Sequence, residues 1–243
     1  METKFRTLKA DEIDCRVSQI ASNWLTLLLY KDARVDMNIL DETVGCMNWK
    51  KSYLRDNANC VVSIWNDEIK EWISKEDTGT ESFSEAEKGL ASDSFKRACF
   101  NWGIGRELYT APSIFILPKK EMISKGKDSE FFDKGNGKFD TKTRFYVEYI
   151  DYDEARNIKD LIIRDNKNNI RFEQLTKETE KKILSTQKQL RDLIEKKEET
   201  NKDFSRENIY KYFGVESDNQ LTFKQMNEAI KILGKGNKDE KGI

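Results

Sequence analysis

The chain has no histidine among its 243 residues. That absence excludes Ser-His-Asp and Cys-His catalysis. Zinc would have to rely on the four cysteines, Cys15, Cys46, Cys60 and Cys99, which are scattered and form no Cys-x-x-Cys pair. Reduced, buried or partly buried thiols are the plain reading, and no metal ligand is assigned. No run of 18 apolar residues is present, so no membrane span is expected. Met1-Glu-Thr-Lys-Phe-Arg6 has no apolar signal-peptide core, and a cytoplasmic protein of a bacterial host cell is expected. Gly-x-x-x-x-Gly-Lys-Ser/Thr and Gly-x-Gly-x-x-Gly are both missing, which leaves no nucleotide-hydrolysis apparatus. No cofactor and no catalytic residue are assigned.

What is present is charge. Charged residues make up 36% of the chain and hydrophobic ones 37%, with a net charge of −1. The length allows one large or two small domains with a real core. All five tryptophans lie within the first 102 residues, where the main core is expected. Residues 1–117 carry net −4 and the remainder net +3. A nucleic-acid site must then be a local groove, not a whole-surface effect.

One stretch separates an apolar side from a basic one. In Lys88–Gly103, Ala91, Phe95, Ala98 and Trp102 recur at spacings of 4, 3 and 4, which marks one helical face. Lys88, Ser92 and Lys96 form a second row, with Arg97 beside it and small residues between the cations. A solvated face is the commoner meaning of such lysines. The same pattern suits the close approach of a phosphate backbone. Gly103-Ile-Gly105 follows the helix and reads as its C-terminal stop.

The rest of residues 1–117 reads as a helix over 31–44, with Ala33, Met37, Leu40 and Val44 on one face and Gly45 as its stop. Strands follow over 47–54, 60–65 and 71–75, then the basic helix. The predicted order is a helix, three antiparallel strands and a long helix. Residues 113–117, between Pro112 and Pro118, read as a short strand or connector, and 118–144 as a mobile loop. Residues 145–175 read as a small β-meander completing the core domain, and 176–203 as a solvated, charged helical linker. Ser205 and the Thr222-Phe-Lys-Gln225 capping box mark a small helical hairpin over 204–234, ahead of a disordered tail at 235–243. The fold class is α+β.

The order Leu29-Tyr30, Gly45, Trp49, a β-meander, then Ser92-Asp-Ser-Phe-Lys-Arg-Ala98 and Gly103 resembles the Rad-fifty-two/Rad-twenty-two double-strand-break-repair family. It is most similar to the single-strand annealing proteins of phages and prophages. The resemblance covers roughly residues 10–110. It implies an oligomeric ring built on a β-β-β-α core that binds single-stranded DNA and anneals complementary strands without ATP, in recombination and repair. It also implies DNA contacts at Arg16, Tyr30, Lys96 and Arg97, and at Lys88. Phage annealing proteins commonly work beside an exonuclease or a single-strand-binding protein, and the C-terminal hairpin suits docking to either. The glycine-rich segment of eukaryotic members and their recombinase-binding tail have no counterpart here.

Two other readings stand beside this one. A coating or end-protecting protein would use the same groove without pairing strands. A metal-dependent nuclease would use Asp77, Glu85, Glu87 and Lys88, although Ser84 with Glu87 is itself a capping box. Trp49 and Trp102 read as core tryptophans before stacking platforms. Arg34 and Arg55 read as partners of Asp32, Asp36 or Asp56 before groove cations. Arg106 is placed to touch DNA or a neighbouring subunit.

Overall fold

A computed structural model describes residues 4–80, 86–118, 130–202 and 204–235, with the backbone alone at 86–88 and 235. It is an α+β protein with antiparallel sheets. The chain divides into two compact units, Met1–Asp14 with Leu29–Ala111, and Cys15–Leu28 with Pro112–Ile243. Strands β1 (Asp14–Ile20) and β2 (Leu25–Tyr30) come first in the chain. Neither was among the predicted elements, although Asp14-Cys-Arg-Val-Ser18 alternates polar and apolar residues.

The first unit is built around α1 (Ala33–Val44), β3 (Trp49–Leu54), β4 (Asn59–Asn66), β5 (Glu71–Thr78) and α2 (Ala86–Asn101). Asp32 caps α1 by accepting the Arg34 N–H at 2.7 Å, and Gly45 ends it at φ +85°. The face α1 buries is set by Asp36, Ile39 and Leu40. It is rotated from the predicted stripe, because Asp36 turns inward to pair with Lys31. The three strands form one antiparallel sheet in the order β3-β4-β5. The register sets Trp49, Ile64 and Ile73 side by side, then Lys51, Val62 and Lys75, then Tyr53, Cys60 and Asp77. Residues paired across strands share a face. This is the face that α2 covers: Trp49 stacks on Phe95 at 6.3 Å, and Trp102 donates its indole N–H to the Val62 carbonyl at 3.0 Å.

Two glycines fit α2 to this sheet. A Cβ at Gly79 would stand 2.5 Å from the Ser94 nitrogen and 2.7 Å from the Leu90 carbonyl oxygen, so only glycine lets the end of β5 touch the helix backbone. Gly103, at φ +93°, closes α2. Its N–H reaches the Phe100 carbonyl, and the Ile104 N–H reaches that of Cys99. The expected order of helix, three antiparallel strands and long helix is the order found.

The second unit holds β1 from Cys15 on, β2 as far as Leu28, β6 (Ile114–Ile116), β7 (Phe131–Asp133), β8 (Phe139–Thr141), β9 (Phe145–Tyr152), β10 (Ile158–Asp165) and β11 (Ile170–Gln174). Six of them form one sheet in the order β11-β10-β9-β1-β2-β6. The predicted meander is its β9-β10-β11 part. The sheet curls until its edge strands approach, and Arg171 on β11 donates to the Leu117 carbonyl at 2.7 Å. The predicted mobile loop contains the β7–β8 hairpin, turned by Gly135-Asn136-Gly137, all at positive φ. Residues 119–129 of that loop lie outside the described residues, as does the tail from 236.

Helices α3 (Lys177–Thr200), α4 (Arg206–Phe213) and α5 (Phe223–Lys235) complete the second unit. The predicted caps are in place: Ser205 accepts the Glu207 N–H, and Thr222 and Gln225 exchange both bonds of the capping box. The solvated linker is corrected. Leu190 and Ile194 of α3 are buried with Ile209, Val215, Leu221, Met226, Ala229 and Leu233 in one cluster. A sparse stripe suffices here, because two short helices close over it from one side. The buried Asp160 on β10 ties the start of α3 down, accepting from the Thr176 N–H and from the Thr179 hydroxyl at 2.7 Å. The C-terminal hairpin therefore shares its core with α3. No helix among the described residues is long and apolar enough to cross a membrane.

Candidate nucleic-acid interface

Phe95, Ala98 and Cys99 of α2 are buried, and Ser94 joins them by donating its hydroxyl to the Asn57 carbonyl at 3.0 Å. Ala91 and Trp102 are half-buried at the margins of that face. Lys96 and Arg97 emerge on the other side of the helix, both half-buried. Consecutive helical residues point about 100° apart, and the two cations diverge accordingly. Lys96 acts electrostatically on Asp32 and Asp36 of α1. Arg97 reaches over the edge of β5 to Asp77, at 3.3 Å.

Tyr30 is 39% exposed at the end of β2, two residues before the Asp32 cap of α1. Asp32 and Lys96 meet near the start of α1, two residues after Tyr30 in the chain and within one unit. Arg16 is exposed on β1 and belongs to the other unit. Lys88 lies in α2, and its side chain is outside the described residues.

Beneath Tyr30 the next residue, Lys31, is buried. Its ammonium pairs with Asp36 and lies 4.8 Å from the centre of the Phe100 ring. A Cβ at Gly105 (φ +75°) would collide with the Lys31 side chain at 2.2 Å. Burial pushes the Asp36 carboxyl up to about 6, against the pull of Lys31 and, more weakly, Lys96. Its second oxygen is the one buried side-chain polar atom without a hydrogen bond among the described residues. By contrast Asp32 is held below the usual carboxylate range by its bonds to Arg34.

At the seam between α2 and β5, Arg106 is joined by a second cation, Lys75, which no motif singled out. Lys75 donates to the Asn101 carbonyl at 2.8 Å and lies 4.5 Å from the Trp102 ring centre. Arg106 donates to the carbonyls of Phe100 and Asn101 at 2.5 and 2.9 Å. Both place positive charge at the carbonyl end of α2, where the helix dipole favours it. The only signal in the sequence was the period of two in β5, which sets Lys75 on the same face as Asp77 and Ile73. An open cleft of about 960 Å³ beside this seam is lined in part by Trp65, Ile73, Lys75, Trp102 and Arg106.

Trp49 donates its indole N–H to Asp41 at 2.6 Å, and Trp102 donates its own to Val62, so both act in packing, as expected. Arg34 pairs with Asp32, again as expected. Of the four residues of the nuclease reading, only Asp77 has a described side chain, and it faces Arg97. No group of three or more Cys, Asp or Glu suited to a metal ion occurs among the described residues. No protein-family model matches the chain, and neither a curated protein nor a solved structure does.

Proposed function

We propose that the first unit binds single-stranded DNA across the solvent side of α2, and that the protein anneals complementary strands without ATP as a member of an oligomeric ring. The observation that carries this reading is the placement of Lys96 and Arg97. They stand on the open side of a helix that closes a β-β-β-α arrangement, in the order the resemblance implies. A strand laid over α2 would meet Lys96 toward α1 and Arg97 toward β5, and the exposed Tyr30, just before α1, is proposed as a further contact. Cations bonded to phosphates leave base edges unread and open to a second strand. Binding of this kind is sequence-tolerant and weakens with salt. No bond is broken, so the reading calls on no acid, base or metal. Lys88 extends the proposed contact set at the start of α2.

The test is annealing of two complementary oligonucleotides labelled for energy transfer, without ATP, by the wild type and by Lys96→Ala/Arg97→Ala. Rapid pairing by the wild type and its loss in the variant are expected. Intact single-strand binding without accelerated pairing would replace annealing with the coating reading. The C-terminal helices are proposed as the docking element for an exonuclease or a single-strand-binding protein, with the exposed Tyr212 (66%) and Ile232 (44%) as contacts. Substituting both with serine is expected to abolish capture of the partner while annealing persists.

A further inference from the structure

Arg97 is held by a pairing that a phosphate can replace. Its Nε and Nη2 both approach a single oxygen of Asp77, each at 3.3 Å. That same oxygen accepts the Thr78 N–H at 2.7 Å. The parallel two-oxygen fork that makes an arginine–carboxylate pair strong is therefore not formed. Arg6 shows the contrast: two of its nitrogens reach the two oxygens of Glu12, each at 2.7 Å. The Arg97 and Asp77 side chains are 41% and 27% exposed, so the pair is within reach of solvent and of a polymer.

The surrounding charges single out Asp77. The carboxylates near Lys96 have cations of their own, Asp32 with Arg34 and Asp36 with Lys31. Asp77 has Arg97 as its only ion-pair partner among the described residues. Its bond to the Thr78 N–H is local to β5 and does not depend on Arg97, so the carboxylate stays in place when the guanidinium leaves. A phosphate that captures Arg97 must first displace this carboxylate and then sit beside its charge.

We propose that Asp77 is an internal competitor for the phosphate at Arg97 and so sets the affinity of the α2 surface for single-stranded DNA. The proposal rests on the DNA-binding reading above. It gives a function to a residue that does not touch DNA: binding kept weak enough at each subunit for a strand to shift and test its pairing.

The experiment is fluorescence anisotropy of a labelled oligothymidylate with the full chain, at low and high salt, for wild type, Asp77→Asn, Arg97→Ala and the double variant. Asparagine keeps the oxygen that accepts the Thr78 N–H and removes the charge. Asp77→Ser, which also keeps an acceptor, serves if the amide disturbs the strand. An exposed pair is worth up to about 1 kcal/mol, a factor of about five. Asp77→Asn is expected to bind about two- to five-fold more tightly than wild type at low salt, with the gain shrinking at high salt. In the Arg97→Ala background the same change is expected to do nothing. Equal or weaker binding by Asp77→Asn, or an equal gain without Arg97, overturns the proposal while leaving DNA binding intact. Absence of binding by the wild type overturns the DNA-binding reading itself.

Discussion

The Arg164 guanidinium of β10 and the Glu148 carboxylate of β9 form an ion pair with both side chains 4% exposed. Arg164 spends its remaining donors on backbone carbonyls, those of Asn168 at 2.5 Å, Asn219 at 3.0 Å and Leu221 at 3.1 Å. Glu148 accepts the Phe223 N–H at 2.6 Å with its other oxygen. The pair thus fastens the loop before α5 to the sheet. Removing one member leaves a buried charge and several carbonyls without partners. Arg164→Ala is expected to destabilise the second unit by about 3–5 kcal/mol. Urea denaturation followed by far-ultraviolet circular dichroism measures it, and a loss below about 1 kcal/mol would mean the pair behaves like a surface one.

The C-terminal helices are part of a shared core, and truncation should reveal it. Removing residues 204–243 strips Leu190 and Ile194 of the side chains that cover them. Each apolar side chain of this size is worth about 1.5–3 kcal/mol when fully buried. The truncated chain is expected to lose stability in the second unit and to bind a hydrophobic dye. A truncation that unfolds like the full chain and binds no dye would show that α3 does not need its neighbours. Surface substitution is for that reason the cleaner probe of partner docking.

Gly79 permits a contact that no other residue can make without movement. An added Cβ meets backbone atoms, which cannot rotate away as a side chain does. Gly79→Ala is expected to cost about 1–3 kcal/mol and to loosen the end of β5 from α2. Amide hydrogen exchange at Gly79, which donates to the Ala58 carbonyl at 2.8 Å, should accelerate. Unchanged protection would mean that the chain relaxes around the methyl group.

Much of the first unit was legible because its signals are local. Gly45 ends α1, β-branched residues and the Asn66-Asp67 turn mark β4, and a 3.6-residue period marks α2. What escaped depends on partners distant in sequence. Asp36 looked like a surface residue, yet its burial depends on Lys31 and on the packing of α1. Lys96 read as part of a row with Arg97 beside it, but the two cations diverge toward different elements. Arg97's partner, Asp77, lies 20 residues away on β5. In the second unit, β1 pairs with a strand more than 120 residues later in the chain, and no local pattern encodes such an alignment. The sparse Leu190 and Ile194 looked solvated because their cover, α4 and α5, comes afterwards in the chain.

The buried pair below the proposed interface gives a pH signature of definite sign. Burial disfavours the charge of Asp36 and pushes its carboxyl up to about 6, above its ordinary value of 3.8. A carboxyl with a raised folded value stabilises the fold fully at pH below the unfolded value, and loses that contribution as pH rises through the folded one. The window is therefore from about pH 4 to about pH 6. Glu12 and Asp32 have lowered values and act in the opposite direction, losing their contribution as pH falls. Comparison with Asp36→Asn cancels those groups. The variant pays a constant cost for leaving Lys31 without its carboxylate, so only the slope is informative. The stability of Asp36→Asn relative to wild type is expected to rise with pH across the window, by at most about 1.4 kcal/mol per pH unit. A flat difference would mean that Asp36 keeps an ordinary carboxylate value. Lys96 acts on the same group, favouring its charged form. A phosphate bound at Lys96 would cancel that influence, so saturating single-stranded DNA should move the Asp36 titration, followed by carboxyl carbon resonance, to higher pH.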